Sequence, residues 1–256
     1  MSDYDRYANT RAGAGLARSG VAVDQGLRAY MIGVYNYMTL GLGVTGLVAW
    51  AAFQLGTVQT EGGRLALTDF GHAIYVSPLR WLIVLSPLAL VFWLSARINS
   101  MSVATARNAF IAFAALIGLS MSALLVVYTG ASFGRACFAT AAAFASLSLY
   151  GYTTQRSLSA MGSFMMMGVV GLIIASLLNV LLLHSTGLQF GLSILCVVIF
   201  AGLTAWDTQA IKEMYFSGDT YEMAQKKSIN GALRLYLDFI NMFQAILMLT
   251  GSQRNS

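Results

Sequence analysis

The sequence predicts an all-α membrane protein, a bundle of seven transmembrane helices. Two observations carry that prediction. Of the 256 residues, 57% are hydrophobic and 10% are charged, where soluble domains carry about a quarter. The charges also leave long uncharged stretches between them, near the ~20 residues that a hydrocarbon core of ~30 Å requires. A chain of this kind has too little polar surface to cover a water-soluble fold of its length.

The elements follow in order from the gaps between charges. Residues 1–27 are polar and lack the apolar centre of a cleaved signal. They read as a flexible cytoplasmic tail ahead of a transmembrane domain over 28–251. No charge lies between Arg28 and Glu61, which holds the first span, 29–55, an uncleaved anchor. Its Gly41, Gly43 and Gly46 suit close helix packing. The sixteen uncharged residues between Arg80 and Arg97 make the second span, 80–97, with the flanking arginines snorkelling outward. Pro87 is expected to kink it. The third span is 108–128. The fourth, 135–153, contains ACFATAAAFASLS, whose small side chains admit close neighbours. From Arg156 to Asp207 no residue is formally charged. That stretch holds two spans, 160–183 and 190–211, with 184–189 as the turn. Met165, Met166 and Met167 face lipid or neighbouring helices, and Trp50, Trp81 and Trp93 are interface or packing residues. A charged loop, KEMYFSGDTYEMAQKK, precedes the last span, 229–250.

Orientation follows from the bias of lysine and arginine. Arg6, Arg11, Arg18, Arg28, Arg97, Arg107, Arg156, Lys212, Lys226 and Lys227 fall on the N-terminal side. Arg64, Arg80, Arg135 and Arg254 fall on the other. Ten against four places the N-terminus in the cytoplasm. Seven full spans put the C-terminus outside, and a re-entrant last segment would return it.

Several function classes are disfavoured. The net charge of +5 is spread thinly with no basic run, which argues against nucleic acid. Cys137 and Cys196 sit in apolar stretches without metal-ligand neighbours and read as packing residues with no disulfide. His72 and His184 lie near span ends, too far apart in sequence for a metal motif. A retinal protein needs a lysine within a span, and Lys212, Lys226 and Lys227 all belong to one loop or its edge. A rhomboid-type protease needs an intramembrane histidine. An intramembrane aspartyl protease uses two aspartates on adjacent helices, but with a GxGD motif where this chain has LYLDF. The expectation is a protein that is not an enzyme.

The residues that stand out are the ionisable ones inside spans, because charge at a helix centre costs about 2.5–3.5 kcal/mol on insertion scales. They are Asp207 in span six, and Arg234 and Asp238 in span seven. Asp207 lies five residues before Lys212, roughly 7–8 Å inside the cytoplasmic boundary, and Asp238 roughly 13 Å inside the same boundary. These depths permit contact. Two carboxyls that face each other cannot both ionise cheaply and would share a proton. Such a pair senses pH, and when deprotonated it attracts a cation. Thr204 and Asn241 lie one turn away on the same helices and add neutral oxygens. Calcium takes six to eight oxygens, so this partial set suits transient occupancy. A plainer reading pairs Asp238 with Arg234 four residues earlier and leaves Asp207 to the loop lysines.

Four stretches carry a resemblance: VDQGLRAYMIGVYNYMTLGL, GYTTQRSLSAMGSFM, AWDTQAIK and GALRLYLDFINMF. Through them the chain resembles the Bax inhibitor-one family, the transmembrane Bax inhibitor motif proteins, in its bacterial branch, from about Val23 to Gly251. The resemblance implies seven helices in a bacterial inner membrane and a pH-sensitive calcium leak. It also implies that Asp207 and Asp238 are a paired-aspartate sensor, with calcium as the permeant ion and no cofactor. Some members latch this pair with an arginine near the cytoplasmic end of span two. Arg97 is the nearest equivalent, with Arg107 as the alternative. Arg234 departs from the small or neutral residue expected before LYLDF and, by pairing with Asp238, would move the pH response downward. Some bacterial members restrain a membrane-anchored AAA protease, and the polar tail is the corresponding contact by analogy.

Overall fold

The computed structural model describes the backbone of residues 3–60, 65–98 and 100–254, with side chains described from residue 25 onward. Helix α1 is Asp3–Gly56, of which Gln25–Gly56 is long and apolar enough to cross a membrane. The flexible tail expected over 1–27 lies, up to residue 24, outside the residues whose side chains are described. A hairpin of β1 (Thr57–Gln59) and β2 (Leu65–Leu67) follows, antiparallel, with Val58 opposite Ala66. A short α2 (Asp69–Gly71) runs into a π turn, His72–Val76. Then come α3 (Leu79–Arg97), α4 (Val103–Val127), α5 (Gly130–Thr153) and α6 (Ser159–Leu178), which ends in a second π turn, Asn179–Leu183. Last are α7 (Thr186–Glu213) and α8 (Tyr221–Thr250).

The helix starts are set by caps rather than by hydropathy. Ser102, Thr129, Ser185 and Thr220 each accept a hydrogen bond from the backbone N–H three residues on, satisfying a donor that the helix itself cannot. Helices α4, α5, α7 and α8 therefore begin at residues 103, 130, 186 and 221, earlier than the expected 108, 135, 190 and 229. The turn expected over 184–189 narrows to His184 and Ser185. There His184 adopts a left-handed conformation, φ 47°, and the Asn179 side chain holds both backbone groups of Ser185 at 2.9 and 3.1 Å.

Among the described residues, six helices are long and apolar enough to cross a membrane: the second part of α1, then α3, α4, α6 with its π turn, α7 and α8. With its 24 residues, α5 has the length, while its Gly, Ser, Thr and Arg lower its hydropathy. It still runs between the same two ends of the bundle as its neighbours. One end, here the tail end, joins the hairpin, the turns at 128–129 and 184–185, and residues 251–254. The other, the basic end, joins the loops at 98–102, 154–158 and 214–220. Helix α8 is continuous over 30 residues, about 45 Å at 1.5 Å per residue. That is long enough for a full crossing.

Helix α8 is the axis of the bundle, packed against α1, α4, α5 and α7, while α3 leans on α4 and α6 on α7. The two peripheral helices turn large apolar side chains outward, among them Leu82, Phe92, Phe164 and Leu182. In water so wide an apolar surface would aggregate; in lipid it is the required face. Trp50, Trp81 and Trp93 also face outward, as do Met166 and Met167, while Met165 packs against Gly202. Of Gly41, Gly43 and Gly46 in α1, the first makes a close approach, to Phe110 and Tyr236, whereas Gly43 and Gly46 have nothing within 4 Å of where a Cβ would stand. On α5 the packed face is Ala136, Thr140, Phe144 and Ser148, and Ala141, Ala142 and Ala145 point outward. Cys137 is exposed on that outer face rather than packed.

The centre of the core is Tyr236, fully buried. Phe110 and Phe113 meet its ring edge-on at 5.8 and 5.7 Å, a favoured arrangement. Its hydroxyl bonds Thr45 at 2.6 Å, and Thr45 also engages the carbonyls of Gly41 and Ala114. Helices α1, α4 and α8 are thereby tied at one buried point. Pro87 poses a second polar problem. It lacks an N–H, so the carbonyl of Ile83 one turn earlier loses its helical partner. Ser120 of α4 donates to that carbonyl at 2.9 Å and Ser86 at 3.2 Å. Ser120→Ala is expected to cost about 1 kcal/mol, the net worth of a hydrogen bond, because Ser86 remains. Thermal unfolding in detergent measures it, and a loss near zero would mean that Ser86 alone suffices.

Candidate functional site

The AWDTQAIK segment of α7 distributes its side chains to four different neighbours. Trp206 faces α6 and lies where a side chain at Gly162 would stand, and the carbonyl of Ala205 occupies the same place opposite Gly151 of α5. Thr208 bonds Ser148 at 3.0 Å, and Ser148 bonds Tyr35 at 2.6 Å, a hydroxyl chain from α7 through α5 to α1. The Gln209 side chain accepts from the N–H of Leu158 at 2.8 Å and donates to the carbonyl of Arg156 at 2.9 Å, pinning the α5–α6 loop. Lys212 donates to the Tyr152 carbonyl at 2.8 Å and lies over its ring. Asp207 is left facing α8.

There it meets Asp238. Both side chains are buried, with residue exposures of 8% and 3%. The two carboxyls interact with each other across the contact of α7 with α8. Oδ2 of Asp238 has no hydrogen-bond partner among the described residues. A buried carboxylate oxygen left bare costs heavily. A proton held between the two carboxyls, or a cation against them, removes that cost.

Arg234 approaches the pair from α8, and its guanidinium lies 3.5 Å from Asp207 Oδ1. The expected pairing of Arg234 with Asp238 along one helix is thus replaced by a bridge between helices, to Asp207. The side chain of Arg234 is 42% exposed, so the bridge is long and partly screened. Arg97 and Arg107 are exposed at the basic end, and neither makes an ion pair among the described residues. Lys212 and Lys227 are occupied elsewhere, Lys212 by the carbonyl of Tyr152 and Lys227 by Asp219 and the carbonyl of Met214, rather than by Asp207.

Both neutral side chains are tethered to their own helices as donors, which leaves their oxygens as acceptors. The Thr204 hydroxyl donates to the carbonyl of Phe200 at 2.7 Å, and the Asn241 amide to that of Leu237 at 2.8 Å. No group of three or more His, Cys, Asp or Glu side chains is placed to hold a metal among the described residues. Two carboxyls, one of them bridged by an arginine, fall well short of the six to eight oxygens of a calcium cage. Two adjacent buried carboxyls are able to share a proton or, once deprotonated, to attract a cation.

A model of the family described as inhibitor of apoptosis-promoting Bax1 matches residues 27–255. A protein of Rickettsia prowazekii with no assigned function is 41% identical over the whole of both chains. One from Caulobacter vibrioides is 39% identical over 99% of this chain and all of its own. Inner membrane protein YbhL of Escherichia coli is 39% identical over 90% of this chain and 94% of its own.

Proposed function

Because the chain belongs to the Bax inhibitor-1 family, we propose that it is a pH-sensitive cation leak, carrying calcium among other ions and performing no covalent chemistry, with Asp207 and Asp238 as the proton sensor. In this reading all seven long helices cross a bacterial inner membrane with the basic end in the cytoplasm. The observation that carries it is the carboxyl pair buried between α7 and α8, with one oxygen left bare. A purely structural polar contact would be neutral and fully bonded. At low pH the shared proton holds the two helices together. On its loss, two like charges face each other, and the site favours either separation or a cation.

The test is calcium efflux from liposomes holding the purified protein, between pH 5 and 8. The wild type is expected to leak with a pH dependence that Asp207→Asn or Asp238→Asn removes. Absence of flux from every variant sinks the proposal. Arg234 sharpens it. A guanidinium beside Asp207 favours the charged pair, so Arg234→Ser is expected to move the midpoint of the response upward by up to about one pH unit, given the exposure of the bridge. An unmoved midpoint would mean that Arg234 serves packing alone.

A further inference from the structure

We propose that the seam between α7 and α8 is the route by which a cation reaches the carboxyl pair from the tail end, and that a polar cavity at that end is its vestibule. The inference rests on the carboxylate reading above and adds where the ion enters. The two helices are antiparallel neighbours, and their facing residues can be followed from one end to the other. Ile211 meets Gly231, and Asp207 meets Arg234 and Asp238. Further along, the Cys196 thiol lies 3.9 Å from the carbonyl of Asn241, and the Ser193 hydroxyl 3.9 Å from the Met248 sulfur. On α7 these positions are 4, 11 and 3 residues apart and on α8 3, 4, 3 and 7, steps close to whole turns that keep them on one helix face. At the tail end the seam opens into a cavity of about 240 Å³ lined by Tyr128, Thr186, Gln189, Ser193, Met248 and Gln253, with Phe190.

Its polar groups are hydroxyls and amides, with no lysine or arginine among them. Neutral oxygens can replace part of a cation's water shell, and the nearest fixed cation, Arg254 at the cavity's edge, is bonded to the carbonyls of Leu125 and Tyr128. From Ser193 to Asp207 is 14 residues, about 21 Å along α7. The interval is not polar throughout. Phe200 stands between Cys196 and Thr204 and packs against both hydrophobic clusters of the protein. It is the apolar narrowing of the path, of the kind that blocks ions by excluding water.

The test uses Ser193→Cys in a cysteine-free parent (Cys137→Ala, Cys196→Ala), or in Cys137→Ala alone where loss of the seam residue Cys196 itself lowers efflux, each read against its own parent in liposomes with calcium as the reporting ion. A water-soluble trimethylammonium methanethiosulfonate is applied to both faces. It is expected to modify Ser193→Cys at least tenfold faster than its sulfonate analogue, and to cut calcium efflux at least fivefold. Phe138→Cys, on the outer face of α5 and 78% exposed, is expected to lose no flux. Gln189→Cys, on the rim, serves if Ser193→Cys does not fold. Phe200→Ala is expected to raise efflux severalfold. The route is overturned if Ser193→Cys and Gln189→Cys escape modification, or are modified without loss of an efflux that still depends on Asp207 and Asp238. If the cysteine-free parent and the wild type carry no flux at all, the carboxylate reading falls first and the route with it.

Discussion

Truncating Tyr236 to alanine is expected to destabilise the protein by about 3–5 kcal/mol, the range for emptying a large aromatic site in a packed core. The ring is fully buried and held by two edge-on phenylalanines, so the space left has no mobile side chain to fill it. Tyr236→Phe is expected to cost only about 1 kcal/mol, since Thr45 keeps the carbonyls of Gly41 and Ala114. Leu182→Ala, 71% exposed on the outer surface, is expected to change little. Thermal unfolding in detergent ranks the three. If Tyr236→Phe proves as harmful as the alanine variant, the hydroxyl and not the ring holds α1, α4 and α8 together.

The second large effect is expected at Gly151. A side chain there collides with the backbone carbonyl of Ala205, and a backbone atom within a helix cannot swing aside as a side-chain tip can. Gly151→Val is expected to cost at least the upper end of the ~1–3 kcal/mol typical of overpacking, because α5 and α7 must move apart. Separating them also strains the bond from Ser148 to Thr208, next to Asp207. Gly171→Val is the control, a glycine in α6 with nothing within 4 Å of its missing Cβ. Monodisperse yield on size exclusion, together with the unfolding temperature, reads both. Equal tolerance at the two positions would contradict the close approach of α5 to α7.

The long helices and the carboxyl pair were legible before any coordinates because both rest on local signals. Uncharged stretches mark membrane-length helices, and an aspartate inside one is conspicuous. Boundaries were less legible: Ser102, Thr129, Ser185 and Thr220 resemble ordinary loop residues until the N–H groups they accept from are seen. The partner of Arg234 was misread because spacing along one helix ranks Asp238 first, and only the packing of α7 on α8 brings Asp207 closer. The roles of Gln209, Thr45, Ser120 and Gly151 were illegible for one shared reason. Each depends on a residue far away in sequence, and hydropathy patterns hold no information on which distant positions meet. The glycines of α1 make the same point, since Gly41 packs closely while Gly43 and Gly46 stand open.

The placement of α8 has a consequence for how the protein is made. The helix that fills the middle of the bundle leaves the ribosome after α1, α4, α5 and α7, so these are inserted while the position they will surround is still vacant. Until α8 arrives, Thr45 and Phe110 lack Tyr236, and Asp207 lacks both Arg234 and Asp238. The final stitches come later still: Ser252 and Arg254 join the α4–α5 turn through Thr129, Ser132, Leu125 and Val127. A nascent chain arrested after α7 therefore presents the membrane's quality-control proteases with an unpaired buried acid and an open core. Closure of the bundle waits on α8 and the short segment that follows it.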